Sequence, residues 1–374
     1  MKKFLVIAVF AGVAFASCVK NEVAVLPEAS QEISFEVAKY LPSSSRAEVN
    51  FPTSQTFGTY AFYENSGAPG SHTVFMENVE IEYKVVSGDN IWASKTGQYF
   101  WPTQGHLDFV SYAPYNADAA NAAVPKFDNS EQTLKFEGFK VVEAVAPALP
   151  VDLMYSNKAM SQTSNTLNYG FTGVPTLFHH ALAKLNFMVK AVRLDNKDSI
   201  APGEKETKWV TTINSIKIEG IYDTGNLTLT LANDHAAPKV LEWTNSNAPL
   251  NVWDTSTSTT SKEWAQDHEL TTAAVFYGQG TSTVAKDYYV MPQQLIDNQQ
   301  KITINYTIVT TAPNGQVGTK SYEKVAYFNN YTTVDNWELG KNIIYTIEID
   351  PFGDEIHFAP KVVDWEDANG AISF

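Results

Sequence analysis

The sequence predicts an all-β protein built as two antiparallel β-sandwiches in tandem. Three observations carry this reading. Apolar and polar residues alternate with a period of two in short runs along the whole chain. Turn residues punctuate those runs at a spacing of roughly 8–12 residues. No apolar pattern of helical period persists beyond about two turns. Composition agrees, because 374 residues with 44% hydrophobic content can bury two sizeable cores, while only 18% are charged. The abundance of Thr, Asn, Ser, Tyr and Val favours strands and turns over helices.

The chain opens on Lys2 and Lys3, followed by an apolar run from Phe4 to Ala16. That run is too short to span a bilayer and has the shape of an export signal. Ala16-Ser17 leads into Cys18, the single cysteine of the chain. The segment resembles a bacterial lipoprotein signal, in which the cysteine thiol is lipidated and becomes the mature N-terminus. Phe15 stands where leucine is usual, and an ordinary signal peptide with an incidental cysteine is the alternative. No later segment has 18 uninterrupted apolar residues. Without a second cysteine the exported body holds no disulfide, so packing must stabilise it.

Residues 31–47 organise the rest. Ile33, Phe35 and Val37 alternate with Ser34, Glu36 and Ala38, the pattern of a strand with one buried face. A small polar loop at Pro42–Ser45 then ends in Arg46-Ala47. Arg193 is the only other arginine among 26 basic residues, so an arginine-specific protease has almost nowhere else to cut. The other possibility is a permanent first strand, with Arg46 an ordinary loop residue.

Phe57–Tyr63 reads as a strand, and Val79, Ile81, Tyr83 and Val85 alternate with Glu80, Glu82 and Lys84. In residues 99–116 an aromatic strand stops at Pro102, Gln104-Gly105 turns the chain, and Leu107, Phe109 and Ser111 begin the next strand. Leu134/Phe136 and Val151–Tyr155 supply further short strands. Residues 156–170 are polar and turn-rich, which suggests a domain boundary. In the second half Leu185, Phe187 and Val189 alternate. Ile216/Ile218 and Leu227/Leu229/Leu231 flank Asp223–Asn226 as a hairpin would. Residues 245–262 read as a Thr/Ser/Asn loop. Tyr288–Leu295 is an aromatic strand with a proline, and Ile302, Ile304, Tyr306 and Ile308 form the most regular strand of all. Asn314-Gly315 turns that strand towards Tyr322–Tyr327, and Ile343, Tyr345, Ile347 and Ile349 follow Gly340.

The last segment mirrors the first. Ile356 and Phe358, Val363 and Trp365, and Ile372 and Phe374 each alternate, with breaks at Pro360 and Gly370. Termini are ordinarily polar and frayed unless something holds them. This segment is either the last strand of the second sandwich, a strand for a neighbour, or both in turn.

Function classes narrow by chemistry. A formal charge of −15 offers nothing to nucleic acid or to an anionic membrane surface. The histidines at 72, 106, 179, 180, 235, 268 and 357 show no metal-ligand spacing, and His179-His180 read as packing or loop residues. GxSxG, GxxxxGK[ST] and GxGxxG are absent. Asp364, Glu366 and Asp367 lack the ligand ladder of a calcium loop. Trp92, Trp101 and Trp243 could line a carbohydrate site but read as core. The sequence therefore nominates no catalytic residue, no metal and no cofactor.

Taken together, YFWP…LDFVSYAP (99–114), DLMYS (152–156), FHHALAKLNF (178–187), INSIKIEG…GNLTL (213–229), YVMPQQL (289–295), WELGKNIIYTIEI (337–349) and VVDW (362–365) resemble a Bacteroidales-type fimbrillin, of the fimbrillin-A/Mfa-like subunits of type V pili. The resemblance implies two transthyretin-like sandwiches at 47–175 and 176–374, after a signal peptide at 1–17 and a propeptide at 18–46. It implies lipidation at Cys18, cleavage between Arg46 and Ala47 by an arginine-specific protease, and loss of the strand bearing Ile33, Phe35 and Val37. The vacated groove would be refilled by a neighbour's tail, drawn from Ile356, Phe358, Val363, Trp365, Ile372 and Phe374, with the segment left open. Implied partners are further copies, other fimbrial subunits, a host surface ligand, and the outer membrane through the precursor's lipid. Rival readings are a tip or accessory adhesin binding host glycan or protein, an uncleaved lipid-anchored subunit, or a β-sandwich glycosidase with paired carboxylates.

Overall fold

The computed structural model describes residues 31–37, 51–65, 67, 70, 72–86, 88–116, 125–128, 132–141, 151–165, 173–192, 206–230, 240–245, 248–249, 260–277, 288–331, 334–350 and 356–364. Strands dominate. In the first part they are β1 (Phe35–Val37), β2 (Phe57–Glu64), β3 (His72–Val86), β4 (Asp89–Ser94), β5 (His106–Ala113), β6 (Lys126–Asp128), β7 (Thr133–Lys140), β8 (Met154–Ser156), β9 (Ala159–Gln162), β10 (Val174–Thr176) and β11 (Phe178–His180). There follow β12 (Ala183–Ala191), β13 (Lys208–Ile221), β14 (Thr224–Thr230), β15 (Val240–Asn245), β16 (Ala248–Pro249), β17 (Thr260–Glu269), β18 (Val275–Phe276) and β19 (Tyr288–Val290). The last are β20 (Gln293–Gln294), β21 (Lys301–Thr311), β22 (Val317–Tyr327), β23 (Asn336–Trp337), β24 (Lys341–Ile349) and β25 (Ile356–Asp364). One 3₁₀ turn, Phe328–Tyr331, is the sole helical element among the described residues.

A nine-stranded sheet runs in the order β10-β1-β4-β3-β2-β5-β8-β11, with β9 beside β5. It is strongly curled. β1 and β5 stand four strands apart, about 19 Å in a flat sheet, yet the Phe35 and Phe109 ring centroids are 5.7 Å apart. The sheet closes over an aromatic core that includes Phe35, Phe51, Phe57, Trp92, Trp101, Phe109 and Phe178. The opposite faces of β2 and β5 present Tyr60, Phe62, Val110 and Tyr112 to a second core. Strict alternation along these strands is what allows both faces to be buried.

The second core is covered by a five-stranded sheet, β16-β15-β14-β7-β6. Leu134 and Phe136 enter it from β7, Leu227 and Leu229 from β14, and Trp243 from β15. Strands from both sides of residue 175 therefore share one sheet. A sandwich of β18-β12-β24-β25, with β19 beside β12, packs on β17-β13-β21-β22, and β20 and β23 pair as a separate two-stranded sheet. A register shift between Ile213 and Ser215 turns Ile213, Ile216 and Ile218 to the same interior, which strict alternation would forbid.

One sequence expectation needs correction. Asp223–Asn226 does not close a hairpin, because β13 pairs β17 and β21 whereas β14 pairs β7 and β15. The apolar faces on either side of the turn feed different cores, so the turn passes the chain between sheets. Within the polar stretch 156–170, residues 156–165 are built into the sheet: Ala159 and Gln162 are buried, and β9 pairs β5; residues 166–170 lie outside the described residues. The Asn314-Gly315 hairpin is present, with β21 paired to β22 and Gly315 at φ 85°.

That buried polar segment carries an ion pair. Lys158 Nζ lies 2.9 Å from Asp108 Oδ2 and donates to Gln132 Oε1 at 2.7 Å, while Ser161 N–H donates to Asp108 Oδ1 at 2.8 Å. Lys158→Met should destabilise the protein by about 3–5 kcal/mol, because Asp108 would keep its charge without its cation. The double variant Asp108→Asn/Lys158→Met should recover most of that loss in urea denaturation. Equal destabilisation by both variants would refute an electrostatic origin.

Candidate assembly groove around the first strand

The residues 31–37 occupy a slot between two stretches of the nine-stranded sheet. β1 runs parallel to β10, with Phe35 opposite Val174, Glu36 opposite Pro175 and Val37 opposite Thr176. On its other side Phe35 opposes Trp92 of β4 in antiparallel sense. Upstream, Ile33 N–H donates to the Tyr99 carbonyl at 2.8 Å, and Trp101 N–H donates to the Gln31 carbonyl at 3.0 Å. Val174 N–H donates to the Ser34 carbonyl at 2.8 Å. Glu32 bridges to Phe100, and its carboxylate accepts from Gln98 Nε2 at 3.2 Å. Removing this segment would leave donors and acceptors unpaired on both walls.

Two side chains fill the slot. Ile33 and Phe35 are 2% and 4% exposed, whereas Val37 is only half-buried. The Phe35 ring meets Phe57 edge-on at 5.6 Å and Phe109 at 5.7 Å, the geometry aromatic quadrupoles favour. Burial of two such side chains contributes about 3–6 kcal/mol, against a domain stability of about 5–15 kcal/mol. Val37 adds less than full alternation suggested, because it packs only partly buried against the same core.

Gly173 shapes the wall. A Cβ there would stand 2.8 Å from the Phe35 carbonyl carbon and 2.9 Å from the Ser34 oxygen, so only glycine lets the two backbones approach. Pro175, which has no N–H, suits the outer position that β10 holds in the strand order. Sequence reasoning missed Gly173–Thr176 and Phe51. The one available signal was proline inside a short apolar run. Phe51 packs on Phe178 at 5.0 Å within the same core as Phe35. The two ends of the stretch from Val37 to Phe51 thus meet one core, and Arg46 and Ala47 lie between them in sequence, outside the described residues together with Cys18.

At the other end of the chain, β25 pairs antiparallel with β24 from Ile349↔Ile356 to Lys341↔Asp364. Phe358 is buried, stacked on Tyr345 at 4.7 Å and 5.7 Å from Phe328. Val363 is half-buried and Val362 exposed. Trp365, Ile372 and Phe374 lie outside the described residues.

The remaining nominated side chains are placed away from the groove or built into its walls. Trp92 and Trp101 are groove core, and Trp243 Nε1–H donates to the Ala181 carbonyl at 2.7 Å in the second core. His180 Nδ1 lies 2.8 Å from Asp152 Oδ2, and the His179 ring lies 5.4 Å from Tyr155. His72 and His106 flank Glu64, whose carboxyl is held below its usual range by the Gly70 N–H and then by these two rings. Among the described residues no group of three or more His, Cys, Asp or Glu is disposed to hold a metal ion.

A family model described as fimbrillin-like matches residues 45–365. A fimbrial protein from Bacteroides vulgatus shares the fold at a TM-score of 0.56 and 17% identity, covering 89% of this chain and 99% of that one. More remote are a fimbrial assembly protein from Parabacteroides distasonis (TM-score 0.35, 11% identity, 90% and 99% covered) and a C-terminally truncated tip fimbrial protein from Porphyromonas gingivalis (TM-score 0.31, 11% identity, 83% and 94% covered). No curated protein matches the chain.

Proposed function

The chain belongs to the fimbrillin-like family of structural fimbrial proteins, and from that premise we propose that it is a fimbrial shaft subunit assembled by strand exchange. The precursor is exported, lipidated at Cys18 and held at the outer membrane. An arginine-specific protease cuts between Arg46 and Ala47. The segment carrying Ile33, Phe35 and Val37 then leaves, and the C-terminal region of the next copy takes its place. Other fimbrial subunits and a host surface ligand are the further partners of the fibre. The body is two tandem transthyretin-like sandwiches, 47–175 and 176–374, with β10 straddling the boundary and β11 and β14–β16 lent back across it.

One observation carries this reading: the segment ahead of the single nearby arginine supplies two deeply buried side chains and hydrogen bonds to both walls of its slot. Before cleavage those contacts are intramolecular. Cutting the chain makes them bimolecular, so the high effective concentration of a tethered strand is lost and the segment can dissociate. An open apolar slot with unpaired backbone is then filled by strand addition. Because the donor end and the acceptor slot are different surfaces, repeated contacts do not close and a filament grows.

N-terminal sequencing of fibre-assembled protein tests the reading. Ala47 is the expected first residue. A lipidated Cys18 start on the assembled form would leave the anchor-subunit reading instead.

A further inference from the structure

Resting on the strand-exchange reading, we propose that the donated segment is Ile372-Ser373-Phe374, seated in the register of Ile33-Ser34-Phe35, rather than β25. The tripeptide Ile-Ser-Phe occurs twice in the chain, at 33–35 and at 372–374. The first copy provides both fully buried side chains of the slot and, through Ser34, the carbonyl that accepts from Val174 N–H. The second copy can reproduce each of these contacts. Phe374 takes the aromatic pocket of Phe57 and Phe109, Ile372 takes the site of Ile33, and the Ser373 carbonyl meets Val174. Gly173 leaves room for a backbone there and constrains no side chain at the serine position. The half-buried Val37 shows that the slot asks little beyond the phenylalanine.

β25 has the same Ile-x-Phe spacing at Ile356 and Phe358 but is already engaged. Nine residue pairs join it to β24, and Phe358 belongs to the core of its own sandwich. Donating it would strip that core to fill another. The eight residues from Asp364 to Ile372 can reach roughly 26–29 Å when extended, so the tripeptide can leave the subunit while β25 stays in place.

Cross-linking fixes the register. Glu32 bridges to Phe100 in the folded chain, so position 371 of one copy should lie opposite Phe100 of the next. Cleavage removes Cys18, the sole cysteine, which leaves an engineered pair unambiguous. Full-length precursor in an Arg193→Lys background is cut with an arginine-specific protease and oxidised. Ala371→Cys/Phe100→Cys should give a disulfide-linked ladder of polymers after cleavage and none before. Glu355→Cys/Phe100→Cys, the pair that would align if Ile356 replaced Ile33, should give none. Phe374→Ala should reduce polymer yield by roughly tenfold or more with cleavage at Arg46 unchanged by mass. A ladder from the Glu355 pair alone, an intramolecular disulfide in a cleaved monomer, or normal polymer from Phe374→Ala would overturn the assignment while leaving strand exchange standing. Cleaved wild-type protein that stays monomeric would bring down the strand-exchange reading itself.

Discussion

Arg46→Ala should yield a folded, lipidated precursor that forms no fibre. Arg46 belongs to none of the strands or cores described above, and a substitution that removes no core contact changes stability by about 0.5 kcal/mol or less. On the strand-exchange proposal, what Arg46→Ala removes is the single event that turns a tethered strand into a free one. As long as the tether holds, the segment 31–37 is present at a high local concentration and an incoming strand cannot compete. The measurement is paired: thermal or urea unfolding of the purified variant, and electron microscopy of the cell surface. A native unfolding midpoint with no fibres is the expected outcome. Fibres of normal length from this variant would eliminate cleavage as the trigger. Arg46→Lys serves as a companion, since it keeps the charge but should resist an arginine-specific protease and behave like the alanine variant.

Phe35→Ala should destabilise the uncut precursor by about 3–5 kcal/mol, the usual range for emptying a phenylalanine site in a well-packed core. The loss combines burial of the ring with its two edge-to-face partners, Phe57 and Phe109. The same variant should have no effect on the stability of fibres that do assemble, because the residue has been discarded by then. No single-state protein behaves this way, so the contrast separates a disposable strand from a permanent one. Urea midpoints of precursor and of purified fibres provide it. Equal destabilisation in both would mean that Phe35 is still present in the fibre. An unaffected precursor would contradict the burial of Phe35 in the groove.

Much of this was legible in the chain because β-strands write their exposure directly into the sequence. Ile302, Ile304, Tyr306 and Ile308 alternate and are all buried. Ile33 and Phe35 alternate with polar neighbours and are buried likewise. A period of two reports which side chains share a face, and nothing more. It does not say which strand will be the neighbour, so Asp223–Asn226 looked like a hairpin turn and is a crossing between sheets. Nor does it mark a strand of three residues such as β10, where too few positions exist to show a period. The polar stretch 156–170 suggests a domain boundary because Asn157, Lys158 and Gln162 are polar. They are buried because Asp108, Gln132 and backbone groups distant in sequence satisfy them.

Local pattern determined the all-β class, the first strand with its anchors Ile33 and Phe35, and the arginine placed behind it in sequence. Those features depend on neighbours in sequence, where alternation and steric preference act. Tertiary structure alone decided that β1 lies parallel to β10 and that Gly173 opens the wall to its backbone. It also decided that β14–β16 complete a sheet with β6 and β7, and that β25 is held by β24. Each of these is a pairing between segments far apart in the chain, chosen by which cores can be filled together, and no stretch of sequence carries that information by itself.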